Sequence, residues 1–324
     1  MMEATAIDSW LERFSGAEPA HSWGLSIGGI SLHITCDRHH ETMMCSHLQP
    51  FQVDPQSIFD IQLTVKSAPE LPKASSHPVF DSGTTWSLRR SADGLLFDFC
   101  DASFGNFPYK RLLVNEAFTR ALLQINRNAF RPYEDKLSPL AYPLDELLIM
   151  HRLTQERAIE LHGTGIVRAN GIANLFIGHS GAGKSTTTRL WTSLEEVEVL
   201  SDDRIIVRLD KARSDDGRDS MAGPTQIRMY GTPWHGEAMF ASPNSAPLTR
   251  IFVLEHGHGN KIARLSRSEA VGELFARAFV PFHRHEYLES ALSFLEQLVS
   301  SVPCYRYSFE PDERAVEKIL HFND

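Results

Sequence analysis

Apolar and polar residues alternate in short runs over the first part of the chain. Trp23, Leu25 and Ile27 are interleaved with small or polar residues, and after Gly28-Gly29 the alternation resumes at Ile30, Leu32, Ile34 and Cys36. Two period-2 runs on either side of a Gly-Gly pair predict a β-hairpin. Trp86 and Leu88, then Asp93-Gly94, then Leu95, Phe97 and Phe99 repeat the device. Asp-Gly tolerates the positive φ that a tight hairpin turn needs. The stretch from Lys66 to Pro78 is rich in Pro, Ser and Ala and predicts a surface loop. Glu116 to Asn126 predicts a helix. Residues 1–142 are expected to form a β-rich α+β domain that recognises an acceptor or partner.

The pattern changes at Tyr142-Pro143. Pro143 suits a first helical turn, and Leu144, Leu147, Leu148 and His151 share one helical face. The second domain is therefore expected over residues 143–324. Ile159 to Val167 and Ile172 to Ile177 flank Asn170-Gly171, a third hairpin signal. Strands are predicted at Val197–Ser201, Arg204–Leu209, Gln226–Tyr230, Ile251–Leu254 and Tyr305–Phe309. Helices are predicted at Ser268–Phe279, with Leu274, Phe275, Ala278 and Phe279 as its core stripe, at Glu286–Val299 and at Asp312–Leu320. The polar stretch from Lys211 to Gly223 predicts a loop. Hairpins mixed with helices imply an α/β class with a mixed sheet.

Composition narrows the function classes. The 324 residues suggest roughly two domains. Apolar residues make up 42% and charged residues 23%, so a packed core is expected rather than wholesale disorder. A net charge of −9 argues against nucleic acid or an anionic membrane as partner. No apolar run approaches the roughly 18 residues that span a bilayer, and Met1-Met2-Glu3-Ala4-Thr5 has no signal-peptide character. Cys36, Cys45, Cys100 and Cys304 form no CxxC pair, as expected of reduced thiols in a cytoplasmic protein.

The chemistry is concentrated in one stretch. Gly178-His179-Ser180-Gly181-Ala182-Gly183-Lys184-Ser185-Thr186 fits GxxxxGK[ST] at every required position. Glycines let successive backbone N–H groups point at phosphate oxygens, and the following helix adds its positive end. The expected nucleotide-binding residues are Gly178, Ser180, Gly181, Ala182, Gly183, Lys184, Ser185 and Thr186. Lys184 supplies a cation for the β/γ-phosphates and Ser185 a hard oxygen for Mg²⁺. The strand ending Leu200-Ser201-Asp202-Asp203 then offers two carboxylates, one for Mg²⁺ and one to accept a proton from an attacking hydroxyl.

Leu161-His162-Gly163, the glycine-rich stretch, and Leu200-Ser201-Asp202-Asp203-Arg204 come in the order and spacing of the HPr serine kinase/phosphorylase family, which the chain resembles from about Leu144 onward. Tyr230-Gly231-Thr232-Pro233-Trp234-His235-Gly236-Glu237 is similar to a segment of the shorter HPr-kinase-related proteins. The resemblance implies a nucleotide-binding core shared with ATP-dependent phosphoenolpyruvate carboxykinase. It implies ATP and Mg²⁺ as cofactors, Lys184 as the phosphate-binding lysine, and Ser185 and Asp203 at the metal. Asp202 would be the catalytic base and His162 the histidine beside it, with the two aspartates' roles open to exchange.

Two departures narrow the implication. Gln226-Ile227-Arg228 stands where the family carries Glu-Ile-Arg, and Ala241 to Pro247 is neutral where a basic loop supports phosphorolysis. The reading is a kinase acting on a hydroxyl of a peptide, protein or small molecule. A nucleotide-binding module without transfer activity and a carboxykinase-like enzyme are the alternatives. Self-association into a homo-oligomer is compatible with all three.

Other clusters are weighed on spacing. His33, Cys36, His39, His40, Cys45 and His47 are dense, but lack the paired spacing of a structural zinc site. His256-Gly257-His258 and His283-Arg284-His285 are expected in turns. Trp234-His235 would either wall an acceptor or adenine pocket or pack beneath a turn.

Overall fold

The computed structural model describes residues 21–36, 44–54, 58–71, 73–74, 76–92, 94–105, 107–130, 138–211 and 225–322. Met1 to Thr5, His39, His40, Asp93 and the loop expected up to Gly223 lie outside these residues. The chain divides into two compact units, Met1–Ser26 with Ile30–Arg152, and Ile27–Gly29 with Leu153–Asp324. Both are built on mixed sheets carrying few helices, an α/β class.

The first unit holds strands β1 (His21–Ile27), β2 (Ile30–Cys36), β3 (Gln52–Val53), β4 (Ile61–Ala68), β5 (Phe80–Asp81), β6 (Trp86–Ser91), β7 (Gly94–Phe99), β8 (Lys110–Val114) and β9 (Arg120–Asn126). They form one sheet in the order β3-β1-β2-β4-β9-β8-β7-β6-β5. The β1–β2 turn is Gly28-Gly29, with φ of 59° and 73°. In β2, Ile30, Leu32, Ile34 and Cys36 are all buried, as the alternation predicts. β4 runs on to Ala68, so the first residues of the expected Lys66–Pro78 loop pair with β9 instead.

Glu116 to Asn126 is not a helix. Its second half is β9, paired parallel to β4 and antiparallel to β8, with Ala121, Leu122, Leu123 and Ile125 buried. An interior strand covered on both faces carries a continuous apolar run, which periodicity cannot separate from a buried helix. The turn before it is held by Asn115, whose Oδ1 accepts from the amides of Thr119 (2.8 Å) and Arg120 (3.1 Å). The helix Leu144–Leu153 packs here too: His151 stacks on Phe118 at 5.0 Å and meets Phe97 edge-on at 5.2 Å.

The second unit holds β10 (Ala158–Arg168), β11 (Ala173–Ile177), β12 (Val197–Ser201), β13 (Arg204–Lys211), β14 (Thr225–Tyr230), β15 (Ser245–Pro247), β16 (Arg250–His256), β17 (Lys261–Arg264), β18 (Ala278–Phe279) and β19 (Cys304–Phe309). The sheet order is β15-β14-β13-β10-β11-β16-β19-β17, with β12 and β18 also on β10. Strands β11, β16 and β19 run parallel; their other pairings are antiparallel.

β10 is the pivot. Its first half, up to His162, pairs with β13 and β18, and its second half, from Gly163, with β11 and β12. A side chain on Gly163 would meet the Phe176 carbonyl at 2.9 Å, and one on Gly165 would meet Ile205 at 2.7 Å. Glycine is what lets one strand serve two sets of partners.

Apolar residues cover both faces of this sheet. Leu161, Leu175, Ile205 and Val253 pack with Phe294, Leu295 and Leu298 of the helix His285–Ser301. Phe176, Phe252, Tyr307 and Phe309 pack with Trp191 of the helix Lys184–Leu194 and Val316 of the helix Glu313–Leu320.

The stripe Leu274, Phe275, Ala278, Phe279 splits. The helix Arg267–Phe275 ends early, and Ala278 and Phe279 leave it to pair with Leu161 and Glu160. Sheet pairing there overrides a helical pattern that was locally satisfactory.

No helix among the described residues is long and apolar enough to cross a membrane. All four cysteines are free thiols.

Candidate active site

The glycine-rich stretch lies where a buried strand meets a helix. All five residues of β11 are buried, and the helix begins at Lys184. Gly178 is buried while His179, Ser180 and Gly181 are exposed. Gly181 and Gly183 take φ of +79° and +98°, which disfavours side chains. A Cβ on Gly183 would also stand 2.4 Å from the Phe309 ring, and one on Gly178 2.7 Å from Ala182. His256, expected in a turn, ends β16, and its Nε2 donates to the Gly181 carbonyl at 2.6 Å. Ala182, Ser185 and Thr186 complete the loop and first helical turn.

Lys184 is 7% exposed, and its Nζ donates to the carbonyls of Gly178 (3.0 Å) and His179 (3.1 Å). Burial holds this ammonium below the ordinary lysine range, opposed by Asp203 and assisted by Arg277 and Arg204. Arg204 and Arg277 stand within electrostatic reach of Lys184, the first paired with Asp203 and Glu160 and the second with Glu273.

The two aspartates at the end of β12 are built differently. Asp202 is 2% exposed, and its carboxylate accepts three backbone hydrogen bonds, from Gly236 (3.0 Å), Ala238 (2.8 Å) and Phe240 (3.2 Å). It is the hub around which residues 236–240 wrap. A Cβ on Gly236 would come 3.0 Å from its Oδ2, so glycine lets the chain pass. Asp203 keeps 27% of its side chain exposed, and its Oδ1 lies 2.9 Å from His162 Nε2. Its Oδ2 is bound by Arg204. Burial works to raise the Asp203 carboxyl. The His162 hydrogen bond and the charges of Arg204, His162 and Lys184 outweigh it and hold the group below the usual carboxylate range.

His162 therefore stands beside Asp203, not beside Asp202 as the resemblance implies. The reason lies in register. His162 pairs with Arg204 across β10 and β13, and the Gly163 amide donates to the Asp203 carbonyl at 3.0 Å. The His162 amide donates to the Arg277 carbonyl at 2.8 Å. The switch point of β10 thus sets the imidazole against the second acid. Arg204 is fixed from three sides: Asp203, the buried Glu160 at 3.5 Å, and the Phe279 ring 4.1 Å from its guanidinium carbon.

Hydroxyl groups connect the loop helix with the acid pair. Thr188 Oγ1 donates to the Lys184 carbonyl (3.1 Å) and to Thr164 Oγ1 (3.4 Å), which donates to the Asp202 carbonyl (3.3 Å). Ser201 Oγ accepts from the amides of Asp203 and Arg204 and donates to the Trp234 carbonyl. Thr232 Oγ1 donates to the Arg204 carbonyl at 2.7 Å. Trp234 is buried beneath this turn, the packing role rather than an open pocket wall. Sequence reasoning missed all three threonines: the place of Thr188 one helical turn after Lys184 is the signal that could have found it, and Thr164 and Thr232 carry no local signal.

The half-buried Ser185 hydroxyl is a hard oxygen that fits a divalent ion, whereas the partly exposed Asp203 carboxylate is already engaged by His162 and Arg204. Among the described residues no group of three His, Cys, Asp or Glu has metal-holding geometry. Magnesium typically keeps several waters and takes one or two protein oxygens together with phosphate. No protein-family model matches this chain, and no curated protein matches it either.

Proposed function

We propose that this protein is an ATP- and Mg²⁺-dependent kinase with an HPr-kinase-like P-loop core in its second unit. It transfers the γ-phosphoryl group to a hydroxyl on a peptide, protein or small molecule. The observation that carries the reading is the pairing of two features. A buried strand feeds a GxxxxGKS loop whose lysine rests on loop carbonyls, and an ionised aspartate beside a histidine lies within that lysine's electrostatic reach.

In this proposal backbone amides from Ser180 to Lys184 and the Lys184 ammonium hold the β/γ-phosphates. Ser185 is the chain's own donor to Mg²⁺, which when bound offsets phosphoryl charge. The geometry favours moving the base's role, which the family resemblance gives Asp202, to Asp203, and leaves Asp202 a positioning residue rather than a metal ligand. Asp202 has three of its roughly four lone-pair sites taken by amides and positions the 236–240 segment. Asp203 accepts the proton of the incoming hydroxyl, and His162 orients it. Arg204 and Arg277 lend positive charge as the phosphoryl group moves. Positioning and electrostatics supply the rate, as phosphoryl transfer requires little covalent work from protein groups. Four free thiols are compatible with work in the reducing cytoplasm.

The test is incubation with γ-labelled ATP, Mg²⁺ and serine-bearing peptides or small hydroxyl compounds. Label should pass to an acceptor with wild type and fail to pass with Asp203→Asn. ATP binding with no labelled product across the acceptor panel would leave a binding module and defeat the kinase reading.

A further inference from the structure

The glycine-rich loop of the second unit rests on the ends of two parallel strands. β16 and β19 pair in register up to their last residues, His256 and Phe309, which stand opposite each other. Each loop glycine meets one of these strand ends. A Cβ on Gly178 would lie 3.4 Å from Leu254, and one on Gly183 2.4 Å from the Phe309 ring. Between them in sequence, the Gly181 carbonyl accepts from His256 Nε2 at 2.6 Å. The His256 and Phe309 rings are stacked, with 6.3 Å between centroids and 23° between planes. Phe309, Leu254 and Ala182 share one core cluster, so the stack joins the exposed imidazole to the buried part of the loop.

The peptide unit that joins Gly181 to Ala182 is held at both ends. Its carbonyl is bound by His256, and its amide donates to the His179 carbonyl at 3.0 Å. Gly181 has φ of +79°. Glycine takes either sign of φ at little cost, so a peptide unit beside it turns over readily unless something pins it. An anion-binding nest needs successive amides that converge on one point, and a turn of this unit would disperse them. Two other loop carbonyls, of Gly178 and His179, are held by Lys184 Nζ. An ammonium that moves to a phosphate gives those two contacts up. His256 stands outside the loop, at the end of β16, and its bond to Gly181 does not depend on the lysine.

Resting on the nucleotide-binding reading above, we propose that His256 is a positioning residue of the phosphate loop. Its hydrogen bond keeps the Gly181 carbonyl turned onto β16, so that the loop amides stay aligned for a phosphate chain while Lys184 leaves its own carbonyls to reach that chain. Phe309 fixes the plane of the imidazole by stacking and fills the space under Gly183. His256 acts through the backbone of the loop and touches neither the base nor the reacting atoms. Without the bond the loop spends part of its time in arrangements that do not bind, and the apparent affinity falls with the fraction that does.

The experiment uses the full chain and calorimetric titration with Mg·ATP and, separately, with Mg²⁺ and inorganic tripolyphosphate, which has no base. His256→Ala should weaken both ligands by the same factor, about threefold to tenfold, the span that loss of one hydrogen bond gives. His256→Gln, whose amide nitrogen can stand where Nε2 stands, should recover most of the affinity. His256→Phe keeps a ring on Phe309 but has no donor, and should lose as much as the alanine variant. Wild-type affinity in His256→Ala or His256→Phe overturns the proposal, as does a loss confined to Mg·ATP, which would make the imidazole a base-stacking group. In each of those cases the wild-type chain still binds nucleotide and the reading beneath the proposal stands. No binding of either ligand by wild type overturns both.

Discussion

Each unit contains an imidazole held against a carboxylate, and the two pairs serve opposite partners. In the second unit His162 and Asp203 stand 2.9 Å apart, both partly exposed, and the carboxylate is shared with Arg204. The acid benefits: it is held ionised within electrostatic reach of Lys184. In the first unit His47 and Asp145 are 3.5 Å apart, the acid is buried, and the imidazole benefits by carrying a proton beside Cys45. The contact type is the same in both. What differs is the third group, a guanidinium in one case and a thiol in the other, while the largest favourable contribution in each pair is the imidazole–carboxylate hydrogen bond itself.

The comparison breaks most visibly at the exposed acid. Asp203→Asn should lower phosphoryl transfer by about 10²–10⁴, the range for a lost general base, while Mg·ATP binding survives. Asp145→Asn should leave the transfer rate near wild type, and the two rates measured together separate the pairs. A smaller effect, on stability, is expected at Asp202. Asp202→Asn weakens a charged acceptor of three amides and should cost about 1.5–3 kcal/mol, read from urea unfolding. Gly231→Ala probes the same turn: its Cβ would meet the Ser242 carbonyl at 2.0 Å and the Leu200 carbonyl at 2.5 Å. Overpacking of that kind should cost about 1–3 kcal/mol in the same assay.

The smallest effects are the pH responses, which should have opposite signs. His47 has a raised folded value. Its stabilisation is complete below the unfolded value of about 6.5 and is lost as pH rises through about 9. Asp203 has a lowered folded value. Its stabilisation is present above the unfolded carboxylate value, near 4, and fades as pH falls through the folded one. Thermal melts of wild type, His47→Gln and Asp203→Asn across pH should show the first variant differing least at high pH and the second differing least at low pH.

Local chemistry made much of this fold legible. Gly28-Gly29 and Asn170-Gly171 sit in the turns expected of them, and Gly183 leads into the helix from Lys184. Long-range pairing was not legible: β9 and β18 carry apolar runs that read equally well as helix until their sheet partners are known. The loop and the acid pair stood out in the sequence because their residue types and spacing are local. The division of labour between Asp202 and Asp203 did not, because adjacent identical side chains differ only in which backbone surrounds them. Cys45 and His47 were visible as neighbours, but the buried Asp145 that pairs with His47 lies in a distant segment.

The central claim is that the loop from Gly178 to Thr186 binds a nucleotide polyphosphate. Calorimetric titration of the full chain with Mg·ATP tests it most directly. One saturable binding event should be seen for wild type and retained in Asp203→Asn. Loss of the charge-assisted contact in Lys184→Ala should weaken that binding by at least about tenfold. No heat with wild type, or equal affinity in Lys184→Ala, would contradict it.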